Sequence, residues 1–169
     1  NELDEVDIGQ RGGELQIGSA TNTGGITIGG SGGPIAPAPS PLPYINLVTA
    51  RDISQLSGSS LQVSRLNAQG RSVSLGNSGN AFDAISGSAS AGSFAVTSGK
   101  AGPMAVGSIS ATGNVTLTAA NGSITDGNGA ANNITAASLN ASSSDGISLD
   151  TEISGLSTLA TTGTAGDIR

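Results

Sequence analysis

Short apolar–polar alternations recur along this chain at a spacing of about 21 residues, and this period restricts the folds that the chain can adopt. Val73, Phe94 and Val115 follow one another at this interval, and the interval from Leu117 to Leu139 is one residue longer. A fixed period of this length is typical of stacked repeats, whereas hairpins recur every ~8 to 12 residues. The Asn-Gly turns that hairpins favour are also scarce. The sequence therefore predicts a coil rather than a series of hairpins.

The composition favours a narrow core that is wrapped by polar loops. Of 169 residues, 27 are glycine, aromatic residues make up 2%, and charged residues make up 11%. Ordinary domains contain roughly 25% charged residues. The apolar share of 36%, with its β-branched residues in alternating register, distinguishes the chain from disordered Gly- and Ser-rich sequences. We therefore predict an all-β fold, a parallel β-solenoid with about 20–22 residues per turn.

The chain divides into three predicted segments. Residues 1–33 are predicted as a β-solenoid-like segment that carries three apolar–polar–apolar–Gly units. These units are Val6–Gly9, Leu15–Gly18 and Ile26–Gly29. Residues 34–43 are rich in proline, which cannot donate to a strand ladder, and are predicted as a loop or linker. Residues 44–169 are predicted as a parallel β-helix segment that is truncated at both ends.

Alternation within each short strand also predicts which side chains form the core. Residues two apart in a strand face the same side, so the apolar members of each alternation should all point inward. Successive turns should stack at roughly 4.8 Å, with every strand hydrogen-bonded above and below. The predicted structural core consists of Val73, Leu75, Phe94, Val96, Val115, Leu117, Ile124, Ile147 and Leu149.

Two stretches of the chain resemble the repeat of filamentous-haemagglutinin-like bacterial exoproteins, large adhesins exported by the two-partner route. Residues 107–125, GSISATGNVTLTAANGSIT, are similar to that repeat, and residues 80–99, NAFDAISGSASAGSFAVTSG, are similar to the half-repeat before it. The resemblance extends over residues 72–163 and, more loosely, over residues 1–33. It implies a right-handed parallel β-helix within an exported surface fibre. The Asn-Pro motifs of the family's secretion domain are absent here, which favours a shaft segment.

Charge and composition restrict the expected partners. Twelve acidic residues against six basic ones give a net charge of −6, which disfavours nucleic-acid binding. Without histidine or cysteine, the usual ligand sets for zinc, copper and haem are excluded. No apolar run approaches the ~20 residues of a membrane span. The expected partners are neighbouring copies, adjoining parts of the parent fibre, and a host-cell or matrix receptor or glycan.

Asp145, Asp150 and Glu152 are the candidate catalytic residues of an alternative hypothesis, a polysaccharide-processing β-helix enzyme. Asp150 and Glu152 are two residues apart, so both side chains would face the same side of a strand. Paired carboxylates can perform acid–base chemistry on glycosidic bonds. Such sites also need a basic partner, and the nearest upstream base is Lys100, about two turns away. We therefore expect solvated acids and no enzymatic activity, although a Ser–Lys dyad that uses Lys100 stays open.

The segment Thr125–Gly129, TDGNG, is the candidate metal site. Its oxygen-rich turn is similar to calcium-binding loops, with Asp126 and Asn128 as the candidate ligands. The downstream Glu of an EF-hand and the nonapeptide repeat of calcium-binding coils are both missing. The sequence thus favours a simple turn, and calcium is the one cofactor that stays open.

Four Asn-X-Ser/Thr sequons are candidate glycosylation sites. They are at Asn114, Asn121, Asn133 and Asn140. A chain so rich in Asn, Ser and Thr contains several such triplets by chance, and some members of the family it resembles are glycosylated at such sites, so modification is a hypothesis.

These observations predict a structural or adhesive segment of an exported bacterial surface fibre, located outside the cell and acting as a rigid β-helical shaft. A self-assembling extracellular matrix or sheath filament is the first alternative, because an uncapped coil end exposes unpaired strand edges. The polysaccharide-processing enzyme is the second.

Overall fold

A computed structural model shows the chain as an all-β parallel solenoid of about six turns. The structure describes residues 14–30, 42–163 and 167–168, so the unit Val6–Gly9 and most of segment 34–43 lie outside the described residues. Every pair of adjacent strands in the described residues is parallel. The predicted β-solenoid is therefore confirmed. The described residues contain no helix, and hence none that could cross a membrane.

Short strands separated by bends follow one another along the whole of the described chain. The strands are β1 (Glu14–Gly18), β2 (Ile26–Ile28), β3 (Leu42–Val48), β4 (Ile53–Gln55), β5 (Gln62–Gly70), β6 (Val73–Leu75), β7 (Ala81–Ala89), β8 (Phe94–Ala101), β9 (Met104–Ala111), β10 (Asn114–Asn121), β11 (Ser123–Asp126), β12 (Ile134–Ser143), β13 (Gly146–Ile147), β14 (Thr151–Thr161) and β15 (Asp167–Ile168).

The strands stack into columns that run along the coil axis. β1, β3, β5, β7 and β9 pair in succession, and β2, β4, β6, β8 and β10 form a second column. β12 pairs with both β9 and β10 and so continues both columns, and β14 pairs with β12. A third, shorter column contains β9, β11, β13 and β15. Strands inside the stack are thus held by the turns before and after them, and not by their neighbours in sequence.

The regular sequence period corresponds to direct stacking of side chains. Val73 pairs with Phe94 and Phe94 pairs with Val115, so these three residues occupy equivalent positions in successive turns. The stacking interval therefore follows from the sequence in this part of the coil.

The prediction that Leu117 and Leu139 occupy equivalent positions in successive turns is wrong. Leu139 stacks on Val115, and Leu117 stacks under Ala141, so this turn is longer than the sequence period predicts. The physical reason is a loop at residues 127–133, between β11 and β12. It adds residues to this turn without adding a strand to either column.

The core is a narrow stack of aliphatic side chains with two phenylalanines. One column contains Ile45, Leu66, Ile85 and Val106, which are register partners and are all buried. Of the nine residues predicted as core, the structure buries eight to 2% exposure or less: Val73, Leu75, Phe94, Val96, Val115, Leu117, Ile124 and Ile147. Leu149 is half-buried and packs against the edge of this core.

Buried amides close the corner that follows β4 and β6. Asn80 is 1% exposed, and its Oδ1 accepts hydrogen bonds from the Leu61 backbone N–H at 2.9 Å and from Gln55 Nε2 at 2.6 Å. Its Nδ2 donates to the Leu75 carbonyl at 3.0 Å. Because these partners come from two successive turns, one side chain satisfies buried polar groups of both.

Glycine is required where two turns approach each other closely. A Cβ at Gly122 would clash with the carbonyl oxygen of Gly102 in the turn below. At Gly87, where φ is +150°, a Cβ would lie 2.9 Å from the ring of Phe94 and would also clash with the Ala68 carbonyl. Gly76, in contrast, has nothing within 4 Å of its Cβ position.

We predict that Val115→Asp lowers the free energy of unfolding by at least about 3 kcal/mol, because it places an unpaired carboxylate in the core. Val115 is 0% exposed and stacks between Phe94 and Leu139. The matched control is Thr116→Asp, at the adjacent exposed position. It should change stability by under about 0.5 kcal/mol. Urea unfolding followed by far-UV circular dichroism measures both, and equal effects of the two variants would contradict the inward assignment.

We predict that Gly122→Ala destabilises the coil by about 1–3 kcal/mol, because the added methyl group forces two turns apart. Gly76→Ala is the control, since it adds the same methyl group in open space. It should leave stability unchanged or raise it by under about 1 kcal/mol. Thermal and urea unfolding of the two variants test this difference. A Gly122→Ala protein as stable as the wild type would show that the turns are not in close contact there.

Candidate functional site

The three candidate catalytic carboxylates have separate environments. Asp145, Asp150 and Glu152 are all exposed. Asp150 is tied through its backbone N–H, which donates to Asn133 Oδ1 at 2.9 Å, whereas Glu152 accepts from Asn132 Nδ2 at 3.2 Å. Asp145 lines a shallow groove of about 300 Å³ that includes neither of the other two.

The candidate basic partner is also placed elsewhere. Lys100 Nζ is paired with the carboxylate of Asp83, in the turn below its own. Among the described residues, no ion pair joins Lys100 to Asp145, Asp150 or Glu152.

The candidate calcium ligands form a hydrogen-bonded turn. Asp126 Oδ1 accepts hydrogen bonds from the backbone N–H groups of Asn128 at 2.8 Å and Gly129 at 3.2 Å, and from Asn133 Nδ2 at 2.9 Å. These donors, led by the Asn128 N–H and the Asn133 amide, lower the pKa of the Asp126 carboxyl. Among the described residues, no group of three or more acidic side chains could hold a metal ion. The arrangement is that of a carboxylate that caps a loop.

Asn133 anchors the inserted loop at residues 127–133. Its side chain is 0% exposed, and its Nδ2 donates to the Val106 carbonyl at 2.6 Å and to Asn128 Oδ1 at 2.7 Å. Its Oδ1 accepts from the Asp150 N–H, so the side chain joins three turns. A glycan could not be attached to this amide in the folded coil. Of the other sequons, Asn114 and Asn121 are exposed and Asn140 is half-buried.

A groove of about 710 Å³ lies on the outer side of the first column of strands. We call it the axial groove because it crosses successive turns along the coil axis. Its lining residues are Glu14, Tyr44, Ser64, Arg65, Leu66, Ala84, Ile85, Ser86, Ala105, Gly107 and Gly127.

Strand register builds the axial groove from one residue per turn. Glu14 pairs with Tyr44, Tyr44 with Arg65, Arg65 with Ala84, and Ala84 with Ala105. The long side chains of Tyr44 and Arg65 therefore lie next to each other. The small side chains of Ala84 and Ala105, in the following turns, form the floor of the groove.

A bend in β5 contributes to the concave shape. Val63 and Leu66 both point into the core, and the two residues between them, Ser64 and Arg65, both face outward. A regular strand would alternate instead. The strand thus turns a corner here, and the outward pair lines the groove.

Arg65 is the cation of the axial groove, and it is exposed. In the part of the chain that the structure describes, it forms no ion pair, whereas Arg71 pairs with Asp52 and Lys100 pairs with Asp83. Arg65 is therefore the arginine of the axial groove whose guanidinium is open to a ligand in solution.

A ladder of polar side chains lies beside the axial groove, two residues further along each strand. Asn46 Nδ2 donates to Gln16 Oε1 at 3.1 Å, Asn67 Nδ2 donates to Asn46 Oδ1 at 2.9 Å, and Ser86 Oγ donates to Asn67 Oδ1 at 3.2 Å. The three hydrogen bonds fix the amide planes of Gln16, Asn46 and Asn67 and link four successive turns. The result is an ordered polar wall along the groove.

Sequence reasoning missed the axial groove because it applied the period to apolar residues only. Arg65 follows Tyr44 by one sequence period, and Ala105 follows Ala84 by the same interval. The period, applied to outward positions, would have placed Tyr44 with Arg65 and Ala84 with Ala105, but the 19 residues from Arg65 to Ala84 depart from it. The bend that makes the column concave has no comparable sequence signal.

Asp52 is a pH-sensitive contact between two turns. Arg71 Nε and Nη2 donate to its two carboxylate oxygens at 2.9 and 2.5 Å, and Ser72 Oγ donates at 2.8 Å. These hydrogen bonds, the Arg71 pair first, lower the pKa of Asp52 from 3.8 to about 2.

Since the folded pKa of Asp52 lies below the unfolded value, the pair should stabilise the coil above pH 3.8 and lose this contribution as the pH falls toward about 2. We predict that Arg71→Gln returns the pKa of Asp52 toward 3.8, measured by carboxyl-detected NMR titration. Arg51→Gln, at an exposed arginine that makes no hydrogen bond to this carboxylate, is the control and should shift the pKa less. Equal shifts in both variants would show that general charge, and not the hydrogen bonds, sets this pKa.

Comparison with known proteins gives one family. A family model described as "Repeats of unknown function (DUF5649)" matches residues 45–89 and 91–162. No curated protein and no solved structure matches the chain.

Proposed function

The chain belongs to this family of repeats of unknown function, and we propose that it is a rigid structural shaft within an exported bacterial surface fibre. The observation that carries the proposal is the continuity of the strand columns, in which each turn from β1 to β14 pairs with the next. Because each turn contacts only its neighbours, further turns can be added without changing the existing core. The matched repeats cover most of the coil, which supports a function based on repetition.

The contacts between turns favour stiffness. Buried columns such as Ile45, Leu66 and Ile85 hold neighbouring turns together from inside, and the Asn46–Asn67 hydrogen bond links two of these turns from outside. A turn of ~21 residues adds roughly 4.8 Å to the coil, whereas the same residues in an extended linker reach about 70 Å. The coil is therefore much shorter than an extended linker of the same residues, and hydrogen bonds connect its turns. Such a structure is suited to bearing load and keeping a fixed direction.

The environments of the candidate catalytic residues support a role without catalysis. Asp145 lines a groove that includes neither Asp150 nor Glu152, and Lys100 is paired with Asp83. General acid–base catalysis on a sugar requires two carboxyl groups on either side of one bond. We infer that these acids keep the surface hydrated and soluble.

The resemblance of residues 80–99 and 107–125 to haemagglutinin-like repeats supports a location outside the cell and an adhesive role for the parent fibre. The structure adds a reason why these stretches repeat. Phe94, Val96, Val115 and Leu117 fill equivalent inward positions in two successive turns.

A second candidate function is that of a subunit in a self-assembling matrix or sheath filament. Within the described residues, β1 pairs only with β3, and β2 pairs only with β4. A strand with one partner can accept another on its free side. Sedimentation velocity over a hundredfold range of concentration tests this candidate: open-ended growth of the sedimentation coefficient supports it, and a constant monomer value contradicts it.

We predict that antibodies raised against the coil label filaments of uniform width on intact producing cells, in immunogold electron micrographs. A cytoplasmic protein of the same cells is the control and should be labelled only after lysis. Labelling of the coil only after lysis would contradict the exported location, and labelled isolated particles would contradict the shaft. Hydrolysis of acidic glycans by the purified chain, abolished by Asp150→Asn, would favour the enzyme instead.

A further inference from the structure

We propose that the axial groove binds an extended oligosaccharide that carries carboxylate groups at intervals, with Tyr44 packed against a sugar ring and Arg65 bound to a carboxylate. The proposal goes beyond the shaft role and does not depend on it, since it rests on the surface of a few turns and not on the length or location of the fibre.

The size of the axial groove fits a chain of several sugar units. Its volume of about 710 Å³ lies within the range of roughly 300–1,000 Å³ that ligand sites occupy. It crosses β1, β3, β5, β7 and β9, so at a stacking distance of about 4.8 Å it is roughly 20 Å long. Such a length suits a linear polymer better than a compact metabolite.

The backbone chemistry of the floor favours a sugar over a peptide. The N–H and C=O groups of β3, β5 and β7 are used in strand pairing on both sides. An extended peptide laid on this face would find no main-chain partners, which are its principal source of affinity in strand addition. Recognition must therefore come from side chains, and those in and beside the groove are hydroxyl, amide, guanidinium and phenol groups, with the Glu14 carboxylate at the β1 end.

The side chains along the axial groove match the two faces of a sugar ring. Tyr44 is half-buried and offers an aromatic surface for the apolar face of a pyranose. Ser64 and Ser86 line the same groove, and the ladder of Asn46 and Asn67 lies beside them with fixed amide orientations. Sugar hydroxyl groups can both donate to and accept from such groups.

Charge favours a ligand with carboxylates that are well separated. Arg65 has no ion-pair partner among the described residues, and the floor beyond it, Ala84 and Ala105, is uncharged. A guanidinium binds a carboxylate in bidentate geometry. Glu14 lies on the far side of Tyr44, two strands from Arg65, and the chain carries a net charge of −6, so a densely charged polyanion would be repelled.

Tyr44 provides an intrinsic fluorescence signal from the axial groove. It is the single tyrosine of the chain, and tryptophan is absent. Intrinsic tyrosine fluorescence therefore reports on this site alone. We predict that a hyaluronan hexasaccharide, which carries one carboxylate on every second sugar, changes this fluorescence saturably. The neutral N-acetylglucosamine hexamer should bind about tenfold more weakly, because it lacks the charge-assisted hydrogen bond to Arg65.

Three variants test the assignment of residues. Arg65→Gln should lower the affinity for the hyaluronan hexasaccharide about tenfold, to that of the neutral hexamer. Arg51→Gln removes an exposed arginine that does not line the axial groove and should leave affinity unchanged. Ala105→Leu should abolish binding by filling the floor. Far-UV circular dichroism and thermal unfolding confirm that each variant keeps the coil.

Each possible result bears on the proposal. Absence of saturable binding by the wild type would overturn it, as would equal losses in Arg65→Gln and Arg51→Gln, which would indicate general electrostatic attraction. Equal affinity for poly-glutamate would overturn the sugar assignment in favour of an acidic peptide. None of these results would affect the shaft, which the micrographs of the fibre test separately.

Discussion

Parallel, in-register pairing of each turn with the next holds this coil together. Once Val73, Phe94 and Val115 occupy equivalent positions, the hydrogen-bond ladder and the buried column form together, because strands about 4.8 Å apart place their inward side chains in contact. A shift of register by one residue would expose every member of that column. The small core of this glycine-rich chain is therefore stable only as a repeated stack, in which each turn covers the apolar side chains of the turn below.

Buried asparagines allow the coil to tolerate departures from its period. The loop at residues 127–133 adds residues to one turn, yet β12 still stacks on β10, because Asn133 satisfies the carbonyl of Val106 and the N–H of Asp150 at once. Asn80 has the same role at the corner below. An amide suits these positions, since it is both donor and acceptor and carries no charge that would be costly to bury. Irregular turns thus remain inside one continuous column, and function can vary on the outside without disturbing the core.

In the first column, the residues that stabilise the coil face inward and the residues available for binding face outward. Inward positions of the first column carry aliphatic residues and Phe82, whereas the outward positions between them range from Glu14 and Tyr44 to Arg65 and Ala84. Substitution at these outward positions leaves the buried column intact. A shaft built in this way can carry a binding groove along its side at little cost in stability, which links the two proposals without making either depend on the other.

Local patterning was enough to predict the β-solenoid and the identity of most inward residues, because alternation and a regular period can be read residue by residue. It was not enough to predict that Leu139 stacks on Val115, since the sequence marks a turn at residues 125–129 but not how many residues the loop adds to the coil. Nor did it give the order of residues along the axial groove, because the step from Arg65 to Ala84 departs from the sequence period. Those outcomes depend on which turn lies above which and on where a strand bends. They emerge only in the folded coil, because they come from contacts between residues of neighbouring turns and not from the pattern within any one strand.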